Sequence, residues 1–194
     1  MMTSPTSVPA YAARLAIAFQ EGPRNRLTTL FRILLVIPIV VVLALVPTVF
    51  NLPTVLMILF RQKYPRWWFD FNFQLTRFTT RVISYLGLLR DEYPSTDEEQ
   101  AVHVEIDYPD AARDLNRWLP LVKWLLAIPH YILLIILTVA AVVAVVIAWF
   151  AILFTGSGPR GLSDFVQGVL RWWLRVDAYM FLLVTDRYPP FSLK

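Results

Sequence analysis

The side chains best placed to do chemistry are an aspartate and two arginines that recur in each half of the chain: Asp70, Arg77 and Arg81, then Asp164, Arg171 and Arg175. In a helix this spacing sets all three on one narrow stripe, because successive residues turn by about 100°. Arg66 and Arg160 stand just ahead of the two aspartates. Guanidinium groups so arranged bind phosphate or carboxylate oxygens bidentately, so the chemistry on offer is recognition of lipid headgroups or of a partner protein. The plainer use of the same residues is a structural ion pair with positive anchoring. His130, which follows Ile128-Pro129, offers either a proton relay or headgroup contact, or a satisfied core imidazole.

Other chemistries find no foothold. The chain has no cysteine and only two histidines, so thiolate metal sites, disulfides and a cysteine nucleophile are excluded and no metal or cofactor is expected. Gly156-Ser157-Gly158-Pro159-Arg160 has the glycines of a phosphate nest but not the Lys-Ser/Thr ending of a nucleotide loop, and the preferred reading is a plain turn between helices. Catalytic fingerprints are lacking, and the expectation is a protein that is not an enzyme. The net charge of +4 fits basic residues flanking membrane segments and not nucleic-acid binding.

What must position these residues is an apolar framework. Hydrophobic residues make up 57% of the 194, charged residues only 16%, and the mean hydropathy is +0.55. The apolar residues concentrate in two runs, 33–60 and 119–154, each long enough for a hydrocarbon core that takes roughly 20 helical residues to cross. Pro47, Asn51 and Pro53 interrupt the first run and predict a break or re-entrant bend there, whereas 132–149 is smooth. The start of the chain has neither the basic nor the apolar region of a signal peptide.

The two halves match. Ile58-Leu59-Phe60 aligns with Ile152-Leu153-Phe154, Asp70-Phe71 with Asp164-Phe165, and Asp91-x-Tyr93-Pro94 with Asp186-x-Tyr188-Pro189. Ahead of each run, Leu15, Ile17 and Phe19, and more clearly Val102, Val104, Ile106 and Tyr108, alternate as strands do. Asn25-Arg26 and Asn116-Arg117 follow, then Arg32 or Lys123, then Ile37-Pro38 or Ile128-Pro129, where the proline favours a kink. After each run, aromatic and aliphatic residues at helical spacing opposite the Asp/Arg stripe predict an amphipathic arm. Two arginines at the bilayer centre would cost about 2.5–3.5 kcal/mol each. Arms lying in the interface, with the Trp67-Trp68 and Trp172-Trp173 rings at headgroup level, are therefore preferred to spanning arms. Lys and Arg are spread over all the polar regions, which fits every polar part facing one side with the two strands paired. Single crossings would instead invert the repeats.

Four further stretches, Leu125–His130, Pro159–Phe165, Arg171–Arg175 and Thr185–Phe191, carry a resemblance. In them the chain resembles a family of bacterial membrane proteins catalogued as domain of unknown function four-three-eight-nine. The resemblance covers most of the chain, and in the first half Gln62 and Lys63 replace the turn glycines and Ile39 the histidine. It implies a bacterial integral membrane protein without an assigned activity.

Together these readings predict a mainly α, integral membrane fold. It has two tandem repeats, each a short strand, a kinked apolar helix and an Arg-bearing arm, with a small two-stranded sheet possible. The expected divisions are a disordered start at 1–13, repeats at 14–94 and 102–191, and an acidic linker at 95–101. The expected function is a non-enzymatic scaffold or accessory subunit, multi-pass in the bacterial cytoplasmic membrane. It would bind anionic lipid headgroups, a membrane protein partner or a second copy through Arg66, Asp70, Arg77, Arg81, Arg160, Asp164, Arg171, Arg175 and His130. The alternative is a small transporter or lipid-handling protein with its site between the repeats.

Overall fold

A computed structural model describes residues 11–45 and 52–194. Pro47 and Asn51, where a break is expected, lie outside the described residues, as do residues 1–10 of the expected disordered start. The rest of that start is ordered. Ala13 is buried in a strand, and the Tyr11 hydroxyl donates to the backbone carbonyls of Arg175 and Arg187 at 3.3 and 3.1 Å.

The elements in order are β1 (Ala13–Ile17), α1 (Arg26–Leu30), α2 (Arg32–Leu45), α3 (Leu52–Leu56, widening into a π-helical turn at Met57–Arg61), α4 (Arg66–Leu86), β2 (Val102–Ile106), α5 (Pro120–Leu126), α6 (Ile128–Thr155) and α7 (Arg160–Met180). The two arms predicted from sequence are α4 and α7. Each begins after a proline in extended conformation, Pro65 or Pro159, which suits the first position before a helix.

The expected two-stranded sheet forms. β1 and β2 pair antiparallel with Leu15 opposite Val104, and the alternation seen in sequence turns Ala13, Leu15, Ile17, Val102, Val104 and Ile106 inward. Arg14, Glu105 and Asp107 stand on the outer face, where Arg14 pairs with both carboxylates at 3.0 and 2.8 Å. Hydrogen-bonded strands cannot lie on opposite sides of a membrane, so the single-crossing reading is set aside. The strands are exchanged between halves: β1 lies on α7, and β2 lies on α4.

α7 is a middle layer. Gln167 and Arg171 donate to the Ile17 and Leu15 carbonyls at 3.2 and 3.0 Å, satisfying the free edge of β1. On the opposite side of α7, the Trp173 indole donates to Thr138 at 2.9 Å and Val176 packs with Leu134. Near the two ends of the contact, Tyr131 meets Met180 and Leu162 packs beside Ala148 and Ile152, so α6 and α7 run antiparallel along most of their length.

Among the described residues α6 alone is long and apolar enough to cross a membrane, and only 22% of its most apolar stretch is buried. Ile136, Val139, Val143, Ile147 and Phe154 are all exposed. Among the described residues α2 runs for 14, fewer than the roughly 20 that a crossing takes, and the multi-pass expectation is not supported. The kinks also differ between halves. Pro129 sits at the start of α6, just after α5 ends, whereas Pro38 lies inside a continuous α2 and the break falls earlier, at Phe31.

Candidate functional site

The predicted stripe does not act as a unit. Asp70 pairs with Arg66 at 3.2 Å on the surface, and Arg66 lies over the Tyr108 ring at 4.6 Å. Arg160 takes the matching place over Phe19 at 5.0 Å, while Asp164 is exposed without an ion-pair partner among the described residues. Arg81 and Arg175 are buried and not at the headgroup level expected of them. Arg81 donates to the Ser95 carbonyl at 2.6 Å, and Arg175 to the carbonyls of Lys194 (2.8 Å) and Ser192. With Arg171 bound to β1, Arg66, Arg77 and Arg160 are the cations of this set left for an outside ligand. Arg77 is half-buried and forms no ion pair among the described residues.

The stronger constellations are a pair that sequence reasoning aligned but did not join. In the first half Arg32 meets Asp91 at 2.5 Å, donates to the Tyr85 carbonyl at 2.6 Å and lies over the Tyr85 ring at 4.4 Å. In the second half Lys123 meets Asp186 at 2.8 Å, donates to the Thr185 carbonyl at 2.7 Å and lies over the Tyr179 ring at 4.8 Å. Each aspartate also accepts from the backbone of the lead-in asparagine, Asn25 at 3.4 Å and Asn116 at 2.5 Å. Two residues on, the tyrosine of each Tyr-Pro donates to a carbonyl three positions before the kink proline: Tyr93 to Leu35 at 3.1 Å and Tyr188 to Leu126 at 3.0 Å. A proline removes the donor to the carbonyl four positions before it, and each hydroxyl bonds the carbonyl next to that one.

Burial alone would raise the Asp91 carboxyl, but Arg32 and Arg24 hold it below the ordinary carboxylate range. Burial pushes the Lys123 ammonium below its ordinary value against the pull of Asp186. Cation, carboxylate and aromatic ring thus lock each arm to the helix that carries the cation, α2 or α5. The signal in the sequence was that both partners recur together, Arg32 with Lys123 and Asp91 with Asp186.

Residues 26–96 and 117–192 match the family described as Domain of unknown function (DUF4389). The chain belongs to that family. No curated protein and no solved structure matches it. The two DUF4389 segments contain both locks whole, from Arg32 to Tyr93 and from Lys123 to Tyr188, and leave out both strands.

Where the DUF4389 halves diverge, the backbone still agrees. α6 ends at Gly156 with φ 77, and the turn ahead of α4 places Gln62 in the same left-handed region at φ 46. Either residue thus takes the left-handed position of the turn. Gln62 instead accepts from Arg117 at 2.8 Å, and the corresponding Arg26 reaches the Phe154 carbonyl at 3.4 Å. The Gly156-Ser157-Gly158 stretch is a turn packed against Arg24 and Arg26. Gly156→Ala is expected to lower stability by about 1–2 kcal/mol from left-handed strain alone, as read by denaturant unfolding in detergent.

His130 is fully buried and not exposed to headgroups or a partner. Its Nδ1 accepts from the Trp172 indole at 3.0 Å, and its ring stacks on Phe191 at 4.0 Å. An indole only donates, so the ring proton sits on Nε2. Trp172 is likewise core and not a membrane belt, while Trp67 is exposed as expected.

Between the arms, above α6, lies a groove of about 720 Å³. Its lining is apolar apart from Asn72, threonines of α4 and α6, and Asp177. The Asp177 carboxyl has no hydrogen-bond or ion-pair partner among the described residues, and burial pushes it up to about 6. Its counterpart in the first half, Ile83, carries no charge. Among the described residues no group of acidic, histidine or cysteine side chains is placed to hold a metal ion.

Proposed function

We propose that this DUF4389 protein is a non-enzymatic scaffold or accessory subunit residing in the bacterial cytoplasmic membrane, built from two tandem repeats. The observation that carries the reading is the pairing of a broad exposed apolar face on α6 with polar chemistry spent inward: Arg32, Arg81, Lys123 and Arg175 all donate to backbone carbonyls. An apolar surface of that extent is covered by lipid or protein. Arg66, Arg77 and Arg160 are the groups left to meet anionic headgroups or a partner.

Purification in mild detergent tests this. The expected result is a particle that retains anionic phospholipid or a partner and shows no turnover. A lone monomer with hydrolytic or transferase activity contradicts it. A second reading, a small lipid-handling protein, is favoured by the groove between the repeats, with Asp177 as its polar group in place of the arginine stripe.

A further inference from the structure

We infer that the protein is monotopic: α6 lies within one leaflet of an anionic phospholipid bilayer, parallel to its plane, and does not cross it. The inference rests on the membrane residence proposed above and fixes how that residence is achieved.

An antiparallel strand pair has a local twofold axis perpendicular to the sheet, here at Leu15 and Val104. The axis relates β1 on α7 to β2 on α4, Phe19 under Arg160 to Tyr108 under Arg66, and one cation–aspartate lock to the other. The layers stack along this axis as sheet, then arms, then apolar helices. At about 100° per residue, Gln167, Arg171 and Arg175 lie on one side of α7, while Leu162, Trp173 and Val176 lie on the other, so α7 separates β1 from α6.

The three layers also run along one another. β1 follows α7 from Tyr11 beside Arg175 to Phe19 beside Arg160, and α7 follows α6. Because Thr138 of α6 meets Trp173, the strand lies level with the middle of α6. An α6 upright in the bilayer would carry the sheet to mid-depth, with Arg14, Glu105 and Asp107 on its open face. Partly solvated charges are costly at that depth.

Turning the twofold axis along the membrane normal removes the conflict. The sheet then faces water, the arms lie at the interface, and α6 sinks beneath α7. A helix about 10–12 Å across fits within half of a hydrocarbon core about 30 Å thick. Exposed cations then ring the molecule at headgroup height, Arg26 and Arg160 at one end, and Arg61, Lys63 and Arg117 at the other. Trp118 and Trp124 are exposed beside them, where indoles anchor at an interface.

The chain has no cysteine, so single thiols report cleanly. Ile132→Cys, Val143→Cys and Phe154→Cys change exposed apolar positions along α6. They are spin-labelled in the full chain, reconstituted in phosphatidylglycerol and phosphatidylethanolamine vesicles, and read by accessibility to oxygen and to a water-soluble nickel chelate. Arg113→Cys and Ser157→Cys, which precede and follow α6 in the chain, are labelled in cells by a membrane-impermeant thiol reagent. The expected result is one depth for all three labels and the same sidedness for positions 113 and 157. A label at 143 much deeper than those at 132 and 154, or opposite sidedness, overturns the in-plane reading while leaving membrane residence intact. Labels that all read as water-exposed overturn both.

Discussion

Replacing Asp91 by alanine is expected to destabilise the folded chain by about 3–5 kcal/mol, the loss that follows when buried cations are stripped of their partner. The guanidinium groups of Arg24 and Arg32 both converge on Asp91, at 3.3 and 2.5 Å, and both are almost fully buried. Asp91 also accepts from Gln20 at 3.1 Å. Denaturant unfolding in a mild detergent measures the loss. The double variant Arg32→Met, Asp91→Leu should lose less than the sum of its single changes, because it removes one of the two stranded cations together with their shared partner.

The pH dependence has a definite sign. The Asp91 pKa is depressed in the folded state, so its stabilisation is fully present above the ordinary carboxylate value of 3.8 and is lost as pH falls through the lower folded value. Asp91→Asn should remove that acid-side slope.

Asp177→Ile should stabilise the protein at neutral pH, by up to about 3 kcal/mol. The carboxyl sits in an apolar groove without a partner, and its pKa is raised to about 6 from 3.8. A raised acid pKa means that the folded state holds its proton longer than the unfolded state. Stability is therefore lost as pH rises from about 4 to about 6, then stays at the lower level. Isoleucine is what the first half carries at the matching position, Ile83, so the groove already accommodates that shape once. Unfolding midpoints at pH 4 and pH 7 should converge in the variant and differ in the parent. If they differ equally in both, the carboxyl is solvated and the groove is not its environment. The windows for Asp91 and Asp177 lie on opposite sides of pH 4, so the two titrations separate in one experiment.

Much of the fold was legible because periodicity reports burial directly. The alternation of Val102, Val104 and Ile106 became β2 with the same residues turned inward. The aromatic spacing after each proline turn became α4 and α7. What the sequence could not reveal is which partner each polar face would find. Arg81 and Arg175 lie on the polar side of amphipathic helices, which reads as a wet face. Yet backbone carbonyls from the segment after each Tyr-Pro cover them, and no pattern marks a carbonyl acceptor. The exchange of strands between halves was equally hidden, since either arm offers β1 a similar surface. The locks were readable in principle. A cation and a carboxylate, about 60 residues apart, recur at matching positions in both halves, and duplicated partners of opposite charge point to a shared contact.

Lipid is expected to cover the apolar face of α6 while the sheet stays in water. A photoreactive residue at Val143, exposed on α6, and another at Glu105, exposed on the sheet, test it most directly in native membranes. Phospholipid adducts are expected from position 143 and none from position 105. Adducts to protein alone at 143, or phospholipid adducts at 105 equal to those at 143, would contradict it.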